Sequence, residues 1–227
     1  MLVLMNLVIL LGVSVDTQPV ALTHEWQTLL MDEFYADISE KELKKLVYNA
    51  YKLGARQDYC SWTGVKCYDG QVTQVDYMQK SCGNFRLHTL PPTVSYVSIC
   101  VCRQHSELHT RCLPKSLVYL ILSVNKLYGR LDLTQLPKKL EHASLWHNRF
   151  IGPITLTCLP PALRRLELHE NRIVQDVVWY GNLPETVEEL KLTSIWHPSR
   201  IGEVCAVDMH QRSNPNIFSH MPWEKIR

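Results

Sequence analysis

The sequence predicts an α/β solenoid with a parallel concave β-sheet, short extended segments on its convex side and helices ahead of its first rung. Three observations carry this reading. The dipeptide Leu-Pro returns at Leu90-Pro91, Leu113-Pro114, Leu136-Pro137, Leu159-Pro160 and Leu183-Pro184, spacings of 23, 23, 23 and 24 residues. Apolar residues hold fixed places behind it: Leu117, Leu140 and Leu163 at repeat position 5, Leu120, Ala143 and Leu166 at 8, and Leu122, Leu145 and Leu168 at 10. Position 13 is Asn125, Asn148 and Asn171. Self-similarity at this period marks stacked units, each too small to bury its own apolar face.

The rows spell L-x-x-L-x-L-x-x-N and resemble the leucine-rich repeat. The alternating stretch is a short strand, and the asparagine amide saturates backbone groups where the chain turns off it. The second half of each row also alternates, as Leu127, Gly129, Leu131, Leu133, then Phe150, Gly152, Ile154, Leu156, then Ile173, Val177, Trp179. A period of two argues for extended convex segments. The row from Leu90 keeps Val94, Val97 and Ile99 but has Cys102 for asparagine, and an earlier rung is legible in Val72, Val75 and Tyr77. The row from Leu183 keeps Val187, Leu190 and Leu192 but has Ile195 at the asparagine position, and nothing after it repeats.

Ahead of the rungs, residues 2–15 are uncharged and nearly all apolar, followed by Asp16 and Pro19. A run this short does not cross a bilayer core comfortably and reads as a signal peptide over 1–15; no second apolar run of spanning length occurs. Two helical patterns follow. Trp26, Leu29, Leu30 and Phe34 are placed on one face of the first; the second opens with Ser39 and Glu42 in capping-box spacing, carries Leu43, Leu46, Val47, Ala50 and Tyr51, and stops at Gly54. The expected division is 1–15 signal, 16–71 helical and disulfide cap, 72–205 solenoid and 206–227 tail or cap.

Cys60-Ser61-Trp62-Thr63-Gly64-Val65-Lys66-Cys67 has the form C-x-W-x-G-V-x-C. It resembles the N-terminal cap of plant-type extracellular leucine-rich-repeat proteins, and that resemblance implies a Cys60–Cys67 disulfide beneath a helical pair. The Leu-Pro openings and the G-x-L-x-L-T endings are similar to leucine-rich-repeat surface proteins of kinetoplastid protozoa. Of the other cysteines, Cys112, Cys158 and Cys205 fall at position 23, two rungs apart, about 10 Å and beyond disulfide reach. They are expected to be unpaired and to fill a buried file. Cys82 lies one rung before Cys100 and Cys102 and could bridge to either, with Cys102 preferred.

Positions 7, 9 and 11 face the concave side. There Tyr96, Tyr119, Ile121 and Trp146 form an aromatic and apolar patch at the N-terminal end, flanked by Val101, Val118 and Val124. Such residues on a sheet face that solvent alone would not require have the composition of interface hot spots. With His142 and Arg165 they are the candidate ligand-binding residues. At the other end Arg165 is expected beside Glu189, and Glu167 beside Lys191, with Glu141, Arg164 and Glu188 as a third file at position 6, a self-neutralised surface. His142, His147 and His169 cluster near Trp146 but lack metal-ligand or triad spacing, so neither catalysis, metal nor cofactor is expected.

A net charge of +2 gives no support for nucleic acid as a partner. The function expected from the sequence is a non-catalytic module, secreted or at the cell surface, that binds a protein, peptide or glycan. The alternative is a surface antigen or structural protein without a dedicated ligand.

Overall fold

The computed structural model describes residues 24–47, 58–195, 200–208 and 214–227. The expected signal segment, Ala50, Tyr51, Gly54 and Trp196 lie outside them. Helices α1 (His24–Phe34) and α2 (Glu40–Leu46) come first, then the antiparallel hairpin β1 (Val65–Tyr68) and β2 (Gln71–Met78). From β2 the chain stacks one strand per rung, all parallel: β3 (Tyr96–Cys100), β4 (Tyr119–Ile121), β6 (His142–Ser144), β8 (Arg165–Glu167) and β10 (Glu189–Lys191). On the convex side, β5 (Tyr128–Arg130) pairs with β7 (Arg149–Ile151), and β9 (Val174–Tyr180) with β11 (Arg200–Ala206), both in parallel. Short 3₁₀ turns such as Leu87–Thr89, Thr110–Cys112 and Leu133–Gln135 lead into successive Leu-Pro openings. The structure is a β-solenoid whose apolar residues at positions 5, 8 and 10 form one continuous core.

The asparagines form the expected column. Asn125 Nδ2 donates to the carbonyls of Ile99 (2.7 Å), Leu122 (3.0 Å) and Ser123 (3.2 Å), and its Oδ1 accepts from the Cys102 and Gln104 amides. Asn148 and Asn171 repeat the pattern one and two rungs on. One side chain therefore satisfies the backbone groups of two rungs where the strand ends, which a buried turn requires. Cys102 does the same work with a thiol. Its Sγ donates to the carbonyls of Tyr77 and Cys100 and accepts from the Lys80 amide, the equivalents of groups Asn125 serves.

The Cys82–Cys102 bridge is not formed. Cys82, Cys100 and Cys102 are buried free thiols, and the one disulfide is Cys60–Cys67, with Cα atoms 5.5 Å apart. The file expected from Cys112, Cys158 and Cys205 is also not buried: the first two are exposed and the third half-buried. Position 23 falls in the turn before Leu-Pro, outside the core, and Cys205 has left the file altogether, lying in β11 opposite Trp179.

Two further expectations change register. Phe34 is buried as expected, but Trp26 and Leu29 are 47% and 56% exposed, and the face α1 buries with Phe34 carries Gln27 and Met31, spaced four and three apart. The buried Gln27 acts as a piece of backbone, donating to Gly70 O and accepting from Val72 N. On the convex side Ile173 is buried, but Val178 and Tyr180 face the core in place of Val177 and Trp179. The row from Leu159 is one residue longer than the others, and an inserted residue in extended chain flips every later side chain to the other face.

Four rungs place a non-glycine residue at φ near +55° at position 12: Val101, Val124, His147 and Glu170. Each immediately precedes a position-13 residue, Cys102, Asn125, Asn148 or Asn171, so the side-chain ladder holds a turn that an L-residue ordinarily resists. In the C-x-W-x-G-V-x-C segment Gly64 sits at φ +86°, and a Cβ there would lie 2.5 Å from the Asp76 carbonyl, so the hairpin closes only over glycine.

Candidate functional site

The concave face is built by register. Column 7 runs Gln74, Tyr96, Tyr119, His142, Arg165, Glu189, and column 9 runs Asp76, Ser98, Ile121, Ser144, Glu167, Lys191, each residue paired directly with the next. Parallel stacking brings side chains about 23 residues apart into contact. The Tyr96 and Tyr119 ring centroids are 5.7 Å apart, and Tyr119 stacks on His142 at 5.0 Å with planes 18° from parallel. Trp146 stacks on His169 at 5.3 Å and 7°. Tyr96, Tyr119, Ile121, His142 and Trp146 are all half-buried, and Arg165 is exposed. The structure thus brings Tyr96, Tyr119 and His142 into one ladder, with Ile121 beside Tyr119 on the same strand.

Among the described residues, neither the helices nor the tail folds over this ladder. Helix α1 packs on β2 and the Leu87–Thr89 turn, where Phe34 stacks on Phe85 at 5.1 Å and, just beyond the helix, Tyr35 shares a 2.7 Å hydroxyl bond with Tyr77. The tail closes the opposite end. Thr193 donates to His220 O at 2.7 Å, Ser219 donates to Glu189 at 2.8 Å, and Phe218 is buried against Tyr180. The open concave surface is therefore the N-terminal half.

The charged end pairs Arg164 with Glu188 in the position-6 file and departs from the cross-strand expectation at position 7. Arg165 lies opposite Glu189 in register, but its Nε pairs with Glu188 at 3.5 Å, and Arg164 pairs with the same carboxylate. Glu189 is held by Ser219, and Glu167 accepts from Ser144 at 2.6 Å. Long side chains on a twisted sheet reach a diagonal partner as readily as the one directly across.

The three histidines do not converge. His142 belongs to the column-7 ladder, His169 lies under Trp146, and His147 turns to the side of the solenoid, where Nδ1 lies 2.8 Å from Glu170. Burial lowers the His169 pKa from its ordinary value, with Lys191 adding to the effect, while the His147 hydrogen bond lowers that of Glu170. Among the described residues no three His, Cys, Asp or Glu side chains are arranged to hold a metal ion.

Sequence reasoning missed two features. Met78, 65% exposed, extends the concave surface by one rung beside Cys100, and the alternation of Val75 and Tyr77 already placed it there. The second is a groove of about 390 Å³ on the side of the stack, lined by Val101, Val124, His147 and Glu170 and by Arg103, Lys126, Arg149 and Arg172. The four cations recur every 23 residues at position 14, a signal that the leucine pattern overshadowed.

No protein-family model matches the chain, and no curated protein matches it. Solved structures do. A pollen receptor kinase 3 superposes with a TM-score of 0.54 at 17% identity, covering 79% of this chain and 90% of that one. The BIR2 ectodomain from Arabidopsis thaliana superposes with a TM-score of 0.53 at 18% identity over 85% of this chain and 97% of that one. The PEPR1–AtPEP1 structure gives 0.54 at 15% identity over 79% of this chain and 28% of that one. At these identities the likeness is one of fold alone, a leucine-rich-repeat solenoid with a parallel sheet. Among the described residues no helix is long and apolar enough to cross a membrane.

Proposed function

We propose that this chain is a non-catalytic extracellular interaction module whose concave face, at Tyr96, Tyr119, Ile121, His142, Trp146 and Arg165, holds a protein or peptide partner. The observation that carries it is the ladder Tyr96–Tyr119–His142, with Trp146 on the adjoining column, half-exposed where neither helices nor tail cover it. Aromatic side chains fixed by stacking present large contact area at little further entropic cost. Fold analogy points the same way: one structural neighbour is the PEPR1–AtPEP1 complex. In this reading the α1–α2 pair and the Cys60–Cys67 loop form a cap on the first rung. The disulfide, together with the apolar run at residues 2–15, supports passage through an oxidising compartment.

The test compares Tyr119→Glu and Trp146→Glu with Trp179→Glu, which alters an exposed tryptophan on the convex side. All three are expected to keep the wild-type circular dichroism spectrum. The two concave variants should lose a partner captured by wild-type protein from extracellular medium, and Trp179→Glu should keep it. Retention by both concave variants would move the binding surface elsewhere.

A further inference from the structure

We propose that the lateral groove takes an extended acidic segment of polypeptide, lying across the rungs with carboxylates toward Arg103, Lys126, Arg149 and Arg172. The inference rests on the reading of the chain as an interaction module and names the chemistry of the partner on a second surface. Its starting point is an imbalance. Among the described residues none of the four groove cations has an ion-pair partner; Arg111, Arg130 and Arg200 share that state, but these four stand in one column and line one groove. Glu170, the carboxylate in the groove, is already held by His147 at 2.8 Å and Ser194 at 3.2 Å. Four like charges in one column repel one another, and a ligand anion relieves that repulsion.

The geometry selects the ligand's shape. Each cation directly follows a position-13 residue whose side chain is bonded to the backbone, so the column stands on fixed turns rather than on a mobile loop. Four rungs span three intervals of strand spacing, about 14 Å. Five residues of extended chain cover about 13 Å and put three side chains on one face, so alternate acidic residues match the column. Three of the four cations are arginines, whose planar fork grips a carboxylate through two parallel bonds.

The groove floor adds the apolar half of the code. Val101 is exposed and Val124 half-buried, and both stand between the cations and the concave surface that carries Trp146. A peptide whose alternate residues are apolar satisfies both strips, whereas a sulfated glycan or a nucleic-acid strand offers anions without apolar side chains.

The test is fluorescence anisotropy of the full chain with a labelled nonapeptide alternating glutamate and valine, its glutamine–valine counterpart, and a labelled sulfated heparin fragment. The acidic peptide is expected to bind at least about tenfold more tightly than the glutamine peptide. Its affinity should fall about tenfold between 50 and 200 mM salt, because exposed charge pairs are screened. Lys126→Glu with Arg149→Glu should abolish binding, and the milder Lys126→Ala with Arg149→Ala should weaken it about tenfold at an unchanged thermal midpoint. Equal binding of the two peptides, indifference to both double variants, or binding of the heparin fragment alone would overturn the proposal. Tyr119→Glu leaves the groove intact, so loss of acidic-peptide binding in the groove variants, and not in that one, separates this site from the concave one.

Discussion

Gln175 holds Ile154 by both of its backbone groups, accepting from the amide at 2.8 Å and donating to the carbonyl at 2.9 Å. Gln104 treats the segment before the first full row in the same way, accepting from Phe85 N and donating to Gly83 O. With Gln27, three glutamines serve as detached peptide groups where neighbouring coils lack a strand partner.

Gln175→Met is expected to strand both Ile154 groups and to cost about 2 to 6 kcal/mol in a urea melt, since each buried group left unpaired costs about 1 to 3. A loss near zero would mean that packing, not hydrogen bonding, is what Gln175 supplies.

Asn125 carries five backbone partners and is buried, whereas Asn171 is half-buried. Leucine in its place should destabilise by about 3 kcal/mol or more, and Asn171→Leu by less, because water can reach part of that site. Thermal midpoints of the two variants at one scan rate decide the order.

The free thiols should divide by access. Cys112 and Cys158 are exposed, while burial pushes the Cys102 thiol up to about 11. Alkylation with iodoacetamide at pH 8, followed by mass spectrometry, is expected to mark Cys112 and Cys158 within minutes. Cys102 should be marked only after denaturant is added.

Acid should loosen the seam between helices and rungs. Arg86 Nε and Nη2 bond the two Asp37 oxygens at 3.1 and 2.7 Å, and this holds the Asp37 pKa below its ordinary value. A depressed carboxyl contributes its full stabilisation above the unfolded pKa of about 3.9, and that contribution disappears as pH falls through the folded value. Asp37→Asn is therefore expected to be less stable than wild type at neutral pH and to lose less on acidification from about pH 4 to 2. Parallel curves would remove Asp37 from the account.

Much of this architecture is legible in the residues. The rows, the inward leucines, the asparagine column and the concave register follow from spacing alone, because each depends on a local period. What was hidden depends on interruptions of that period. The Leu159 row hides an extra residue that reverses the faces of Val177 and Val178. α1 buries Gln27 because an amide can mimic backbone, which an apolar-face count does not anticipate. Residues after Ile195 carry no repeat, so neither β11 nor the insertion of Phe218 could be read from pattern. Tyr96, Tyr119 and His142 were placed together from sequence; the groove cations were legible but unread.

The longer row changes the convex side, while the concave sheet runs on for one more rung, β10. Its convex strand has seven residues, where earlier convex strands have three, and that strand receives β11, with Gly202 so close that a Cβ would lie 2.4 Å from the Asp176 carbonyl. The outer edge of β11 is in turn occupied by Ile226 and Arg227. The coil that repeats along the concave side thus becomes, on the convex side, a seam in which a strand from outside the repeat is clasped along both of its edges.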